Sequence, residues 1–293
     1  MIGFDLNKTK RHFTEVLAET FPRREAEQLM RIMLEDLFGI DLKRQLLEPG
    51  LRLDEYQYAR LNDAVGRLLN GEPVQYVTGV ARFDDLFFYV DESVLIPRPE
   101  TEELVRLVLA SAPQDRPLRI WDVGTGSGCI AISLAKHLPK AEVKAFDVSD
   151  KALETARRNA ETHGVKVDFI RDDVLRPRSE ILFQPVDLVV SNPPYIRESE
   201  KLSMERNVLD FEPSTALFVP DDDPLLFYRQ ILKLAVPQLT PAGAVWFEIN
   251  EALGEAVEVG CEEMGLSAVI KEDYLGKKRF CHAVTPTSQS LNS

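Results

Sequence analysis

Cysteine is scarce in this chain. The 293 residues hold three, Cys129, Cys261 and Cys281, far apart and with no Cys-x-x-Cys pair. Neither a disulfide framework nor a zinc site is therefore expected, and the three read as small buried apolar residues. The four histidines, His12, His137, His163 and His282, lie outside every motif described below and are expected to be structural or on the surface. No metal site is expected. Long apolar runs are missing too: none reaches the roughly 18 residues a membrane-spanning helix needs. Residues 1–11 lack the apolar core of a signal peptide, which points to a reducing cytoplasm. Positive charge is in the minority, with 35 Lys and Arg against 48 Asp and Glu and a net charge of -13. An acidic surface repels phosphate backbones, so neither direct nucleic-acid binding nor a membrane partner is expected.

What is present falls into segments. Residues 1–72 read as a small helical bundle. Residues 24–38 place Ala26, Leu29, Met30, Met33, Leu34 and Leu37 along one stripe, and residues 54–69 do the same with Tyr56, Ala59, Leu61, Val65, Leu68 and Leu69. Residues 73–97 change character. Segments 75–83 and 86–90 are rich in aromatic and β-branched residues, and Asp84-Asp85 between them suggests a β-hairpin linking two domains. From residue 98 to 285, strands and helices alternate, which predicts an α/β, doubly wound and mainly parallel sheet. Residues 286–293 are expected to be a disordered tail.

Four constellations carry the expected chemistry. Asp122-Val123-Gly124-Thr125-Gly126-Ser127-Gly128 follows a predicted strand and opens a helix. Glycines allow a sharp turn and close approach of a ligand, here with Thr125 and Ser127 on the same loop. The dinucleotide fingerprint is Gly-x-Gly-x-x-Gly. Here the third glycine comes one residue early, a spacing better suited to S-adenosylmethionine. Asp147 ends the next strand, and an acid there can accept both ribose hydroxyls of a nucleoside. Ser149 or Asp150 is then left to cap the following helix. Asp173 and Val174 follow the third strand, where a carboxylate and an apolar residue would meet the adenine. The most specific motif is Asn192-Pro193-Pro194-Tyr195, after an apolar strand at 187–191. Its prolines remove two donors and leave the Pro193 carbonyl free to accept. The Asn192 side-chain oxygen is a second acceptor. Together they would grip a planar NH₂ group, with the Tyr195 ring packed flat against it.

With these residues in hand, the chain resembles the class I methyltransferases and, within them, the release factor glutamine methyltransferases. The likeness covers nearly the whole chain. Its most discriminating part is Ile96-Pro97-Arg98-Pro99-Glu100-Thr101-Glu102, which amino-DNA methyltransferases lack although they share Asn-Pro-Pro-Tyr. The resemblance implies methylation of the glutamine side-chain amide in the Gly-Gly-Gln motif of peptide chain release factors, with S-adenosylmethionine as cofactor. It implies that Gly124, Gly126, Gly128, Asp147, Asp173 and Asn192 line the cofactor. It also implies that residues 192–195 hold the glutamine and that residues 1–72 help bind the release factor. Two departures stand out. Val174 replaces an aromatic residue of some members, and Asn250 and Leu253 stand where Gly and Gln are frequent. Neither is expected to touch the chemistry.

Other readings compete. The same clamp suits the exocyclic amine of a flipped adenine or cytosine in DNA or RNA. A non-catalytic adaptor that keeps the nucleoside-binding fold for protein contacts would not need an intact Asn192 to Tyr195 motif. A nicotinamide dehydrogenase is disfavoured by the glycine spacing.

Overall fold

The computed structural model describes residues 3–113, 116–178 and 184–286. Most of the tail expected to be disordered, from residue 287, lies outside the described residues. The chain divides into two compact units, one of Met1–Val80 with Glu205–Phe211, the other of Ala81–Met204 with Glu212–Ser293.

The first unit runs β1 (Phe4–Asp5), α1 (Leu6–Leu17), α2 (Arg23–Phe38), α3 (Leu42–Leu47), β2 (Arg52–Leu53), α4 (Glu55–Leu69) and α5 (Val74–Thr78). Asp5 caps α1 by accepting from the Lys8 N–H at 2.9 Å, and Asp54 with Gln57 forms a capping box on α4. Phe13 and Leu17 of α1, Met30 and Leu34 of α2, and Leu61 and Leu68 of α4 meet in one core. The stripe expected on α2 is the buried face. On α4 the buried residues are Leu61, Ala64, Val65 and Leu68; Leu69 of the expected stripe is exposed, and so are Tyr56 and Ala59. The latter two precede Leu61 by five and two residues, which puts them on the far side of a helix with about 3.6 residues per turn. A second correction concerns Gln75 to Thr78, expected as strand and found in helix α5. Pro73 opens this turn, Gly79 at φ 73° closes it, and both punctuate a helix more strongly than the β-branched residues between them oppose it.

A hairpin follows, β3 (Val80–Phe83) and β4 (Leu86–Tyr89), and from Ala81 the chain belongs to the second unit. Asp84 and Asp85 both have positive φ, 51° and 57°, the turn sense that matches strand twist. There follow α6 (Pro99–Ser111), β5 (Arg119–Val123), α7 (Cys129–His137), β6 (Glu142–Asp147), α8 (Asp150–His163), β7 (Asp168–Arg171), β8 (Val186–Ser191) and β9 (Ile196–Arg197). Helix α9 (Arg206–Phe211) belongs to the first unit. The chain continues through β10 (Phe218–Val219), α10 (Leu226–Ala235), β11 (Leu239–Glu248), α11 (Gly254–Glu263), β12 (Ser267–Glu272) and β13 (Lys278–Val284).

Seven strands form one sheet in the order β12-β13-β11-β8-β5-β6-β7, in which β13 runs opposite to the other six. Successive residues of a strand point to opposite faces, and here both faces are covered. Ile120, Leu188, Val190 and Trp246 pack on one side with α6 and α7. Trp121, Val189, Val245 and Phe247 pack on the other with α10 and α11. Phe83 and Phe88 of the hairpin belong to the first of these layers. His137 reaches Asp84 at 2.8 Å and His163 reaches the Phe87 carbonyl at 2.9 Å, so both tie the hairpin to helix ends.

Candidate active site

The chain order along the sheet reverses between β5 and β8. A crevice opens at the carboxyl ends of such a strand pair, where ligands of open α/β sheets sit. Asp122 pairs with Val190, so the two strands end level, and the Ser191 hydroxyl donates to the Val123 carbonyl at 2.6 Å. The glycine loop and the Asn192 loop therefore start side by side.

Three glycines of the first loop have positive φ: Gly124 at 78°, Gly126 at 53° and Gly128 at 83°. Their surroundings differ. A Cβ on Gly124 or Gly126 would meet nothing within 4 Å, whereas one on Gly128 would lie 2.9 Å from Ile132 Cδ1 and 3.1 Å from Ala156 Cβ. Gly128 thus lets α7 pack closely on α8, and the other two keep open space beside the backbone. Asp122 holds the loop from below: one carboxylate oxygen accepts from the Thr125 hydroxyl at 2.6 Å and from the Ala131 N–H at 3.1 Å. Burial pushes its pKa up to about 7, against the pull of those two bonds.

Asp147 ends β6. One of its oxygens accepts from the Gly126 N–H and the other from the Ser149 N–H, both at 2.9 Å. Its pKa is raised, chiefly by burial. Ser149 caps α8 through the Ala152 N–H at 3.2 Å, leaving the remaining lone pairs of Asp147 uncommitted to that helix. Asp173 closes its own turn by accepting from the Leu175 N–H at 2.9 Å. The Val174 side chain packs against the α10 layer.

These loops enclose a cavity of about 440 Å³. Of the residues expected at the site, Gly124, Thr125, Gly126, Ser127, Asp147, Asp173, Val174, Asn192, Pro193 and Pro194 line it. Gly128 and Tyr195 do not. Gly128 faces the α7–α8 contact instead. Tyr195 turns into the protein, where its ring packs with the α10 layer and its hydroxyl donates to Glu248 Oε1 at 3.0 Å. Burial, then the Glu248 charge, hold its pKa well above the ordinary tyrosine value.

Sequence reasoning missed several residues that lie on this wall or support it from behind. Glu248, buried at the end of β11, accepts from the Thr101 hydroxyl at 2.6 Å, and Asn192 Nδ2 donates to Thr101 Oγ1 at 3.0 Å. Burial raises the Glu248 pKa, while the two hydroxyl donors and the Arg279 charge oppose that. A lone carboxylate after the apolar run 244–247 was the available signal for Glu248. Thr101 lay inside the discriminating segment without a role. Glu212 also escaped notice: buried, it accepts from Arg98 at 2.5 Å and from the Ile96 N–H at 3.3 Å, pinning the strap that carries Pro97 and Arg98 along the cavity. Asn250 does not line the cavity, and its side chain donates to the Tyr195 carbonyl at 3.3 Å. The reason is that β11 and β8 are neighbours in the sheet, so the residues just beyond their ends meet. Cys129 lines the cavity, but burial pushes its thiol pKa up to about 12, so it is not a nucleophile near neutral pH. Among the described residues, no group of three or more His, Cys, Asp and Glu is placed to hold a metal ion, and no helix is long and apolar enough to cross a membrane.

Comparison with known proteins agrees with this architecture. A family model described as PrmC N-terminal domain matches residues 10–79, and one described as Methyltransferase small domain matches residues 103–210. The release factor glutamine methyltransferase of Flavobacterium psychrophilum is 44% identical over 272 residues, covering 92% of this chain and 95% of that protein. Its counterpart in Bacteroides thetaiotaomicron is 44% identical over 280 residues, covering 95% and 99%. The crystal structure of a methyltransferase from Pyrococcus furiosus aligns with a TM-score of 0.51 at 18% identity, over 76% of this chain and 98% of that one, a likeness of fold. Identity of this degree over nearly the full length of both partners places the chain in the release factor glutamine methyltransferase family.

Proposed function

We propose that the protein transfers a methyl group from S-adenosylmethionine to the side-chain amide nitrogen of the glutamine in the Gly-Gly-Gln motif of peptide chain release factors, in the cytoplasm. The observation that carries the reading is the position of Asn192 and Pro193 on the cavity wall beside the glycine loop. The names of the relatives support the substrate.

The residues present fit the cofactor. The space beside Gly124 and Gly126, which a Cβ would enter, suits a ligand lying against the backbone. Each Asp147 oxygen already accepts one N–H. An ionised carboxylate has about four acceptor sites, so acceptor capacity is left for ribose hydroxyls. Asp173 and Val174 would meet the adenine. When bound, the cofactor supplies an electrophilic methyl group on a positively charged sulfur. The chain's own task is orientation. Asn192 Oδ1 and the Pro193 carbonyl would each accept one N–H of the substrate amide, aiming its nitrogen. Among the described residues no donor is bonded to the Pro193 carbonyl, which leaves it available. Well-oriented reactants can gain about 7–11 kcal/mol of barrier. Helical residues 1–72 would recognise the release factor.

The test is mass spectrometry of a release factor incubated with the protein and labelled cofactor. The expected result is one added methyl on the Gly-Gly-Gln peptide. Methylation of nucleic acid in place of release factor would overturn the reading.

A further inference from the structure

Two hydrogen bonds behind Asn192 have a definite polarity. Glu248 is almost fully buried and both of its carboxylate oxygens are engaged, Oε2 by the Thr101 hydroxyl at 2.6 Å and Oε1 by the Tyr195 hydroxyl at 3.0 Å. Both hydroxyls donate to it. The Thr101 proton is thereby committed, and Thr101 Oγ1 faces Asn192 as an acceptor. A side-chain amide has one end that donates and one that accepts, so the end of Asn192 placed 3.0 Å from Thr101 must be Nδ2. Its Oδ1 is then the end left for the cavity.

We infer that Glu248 and Thr101 are positioning residues that fix the sense of the Asn192 amide, so that its oxygen rather than its NH₂ group meets the substrate. The inference rests on the reading of Asn192 given under Proposed function. An asparagine free to rotate would offer donor and acceptor about equally, and the donor end repels a substrate NH₂ group. Neither Thr101 nor Glu248 needs to touch the substrate for this. Both act through a side chain that lies 91 residues from Thr101 in sequence. The same carboxyl group accepts from Tyr195, so one buried side chain orders the two ends of the Asn192 to Tyr195 loop.

Three variants separate this role from plain packing. Thr101→Val keeps the shape and removes the hydroxyl. Thr101→Ser restores it. Glu248→Gln is nearly isosteric but can donate to Thr101, which turns the hydroxyl proton toward Asn192 and favours the reversed amide. With a release factor as substrate, Thr101→Val and Glu248→Gln are expected to lower kcat about 10–100-fold, the scale of a misoriented reactant. KM for the release factor and the calorimetric cofactor affinity should stay unchanged, and Thr101→Ser should recover most of the loss. In the free protein, the side-chain NH₂ resonances of Asn192 should shift in Thr101→Val and hold in Thr101→Ser. Wild-type kcat in Thr101→Val, unmoved Asn192 resonances in that variant, or an equal loss in Thr101→Ser would overturn the inference. Asn192→Ala keeps the two levels apart. If it is inactive while Thr101→Val and Glu248→Gln turn over normally, only the positioning role fails. If Asn192→Ala itself turns over normally, the amide clamp is wrong and the positioning role falls with it.

Discussion

Asp147 and Asp122 lie on adjacent strands and do different work with the same functional group. Asp147 sits on the cavity wall, and its charge is available to a ligand as well as to the Gly126 and Ser149 N–H groups. Hydrogen bonds to a charged group contribute about 1.5–3 kcal/mol. Asp147→Ala should therefore weaken S-adenosylmethionine binding about 10–100-fold by calorimetry. Unchanged affinity would remove its proposed ribose role. Asp122 is fully buried behind the loop, with one oxygen bonded to Thr125 and Ala131 and the other without a hydrogen-bond partner. Its folded pKa of about 7 lies above the unfolded value. Its contribution to stability is thus fully present below about pH 4, the ordinary Asp range, and is lost as pH rises through about 7. Asp122→Asn removes that titration. The stability of the variant relative to wild type should rise steadily between those two pH values in denaturant melts, and a pH-independent difference would contradict the argument.

At the scale of the element, the glycine loop combines two demands that mutation can separate. Gly128 serves the packing of α7 on α8. Gly128→Ala adds a clash to a left-handed backbone that costs about 1–3 kcal/mol by itself, so the thermal midpoint should fall markedly. Gly126 has the same kind of backbone but open space around it. Gly126→Ala should cost about 1–2 kcal/mol of stability. Its larger effect should be on cofactor affinity, because the new methyl group enters the cavity side. A Gly126→Ala protein that binds the cofactor as well as wild type would show that the ligand does not lie against this backbone. The short helix α5 carries a related lesson. Its sequence of valine, tyrosine and threonine suggests a strand, but Pro73 and Gly79 bracket it as one helical turn.

For the whole molecule, the separation into two units, each with its own core, sets what a mutation in one can do to the other. Met30 is fully buried among the helices of the first unit. Met30→Ala should cost that unit about 2–5 kcal/mol. Calorimetric affinity for the cofactor, whose proposed site lies wholly in the second unit, should not change, and a parallel loss there would show the two to be coupled. The first unit is not a contiguous stretch, since Glu205–Phe211 belongs to it. Truncation at residue 80 would therefore leave α9 behind, and a point substitution is the cleaner probe.

Much of this was written locally. The alternation of apolar strands and amphipathic helices predicted the doubly wound sheet, because burial of both sheet faces demands it. The glycine loop, Asp147, Asp173 and the two prolines after Asn192 were legible because backbone geometry at a turn depends on the residues in the turn itself. The placement of Ser149 as the cap of α8 was legible for the same reason. What the sequence could not disclose is which distant groups meet. Glu248 and Thr101 are 147 positions apart and touch only because β11 lies beside β8 at the same end of the sheet where α6 begins. That contact decides the sense of the Asn192 amide. The turn of Tyr195 into the protein is decided in the same way. Turn chemistry is a property of neighbours along the chain, whereas the orientation of a buried hydrogen bond belongs to strand order and register, which exist only once the chain has folded.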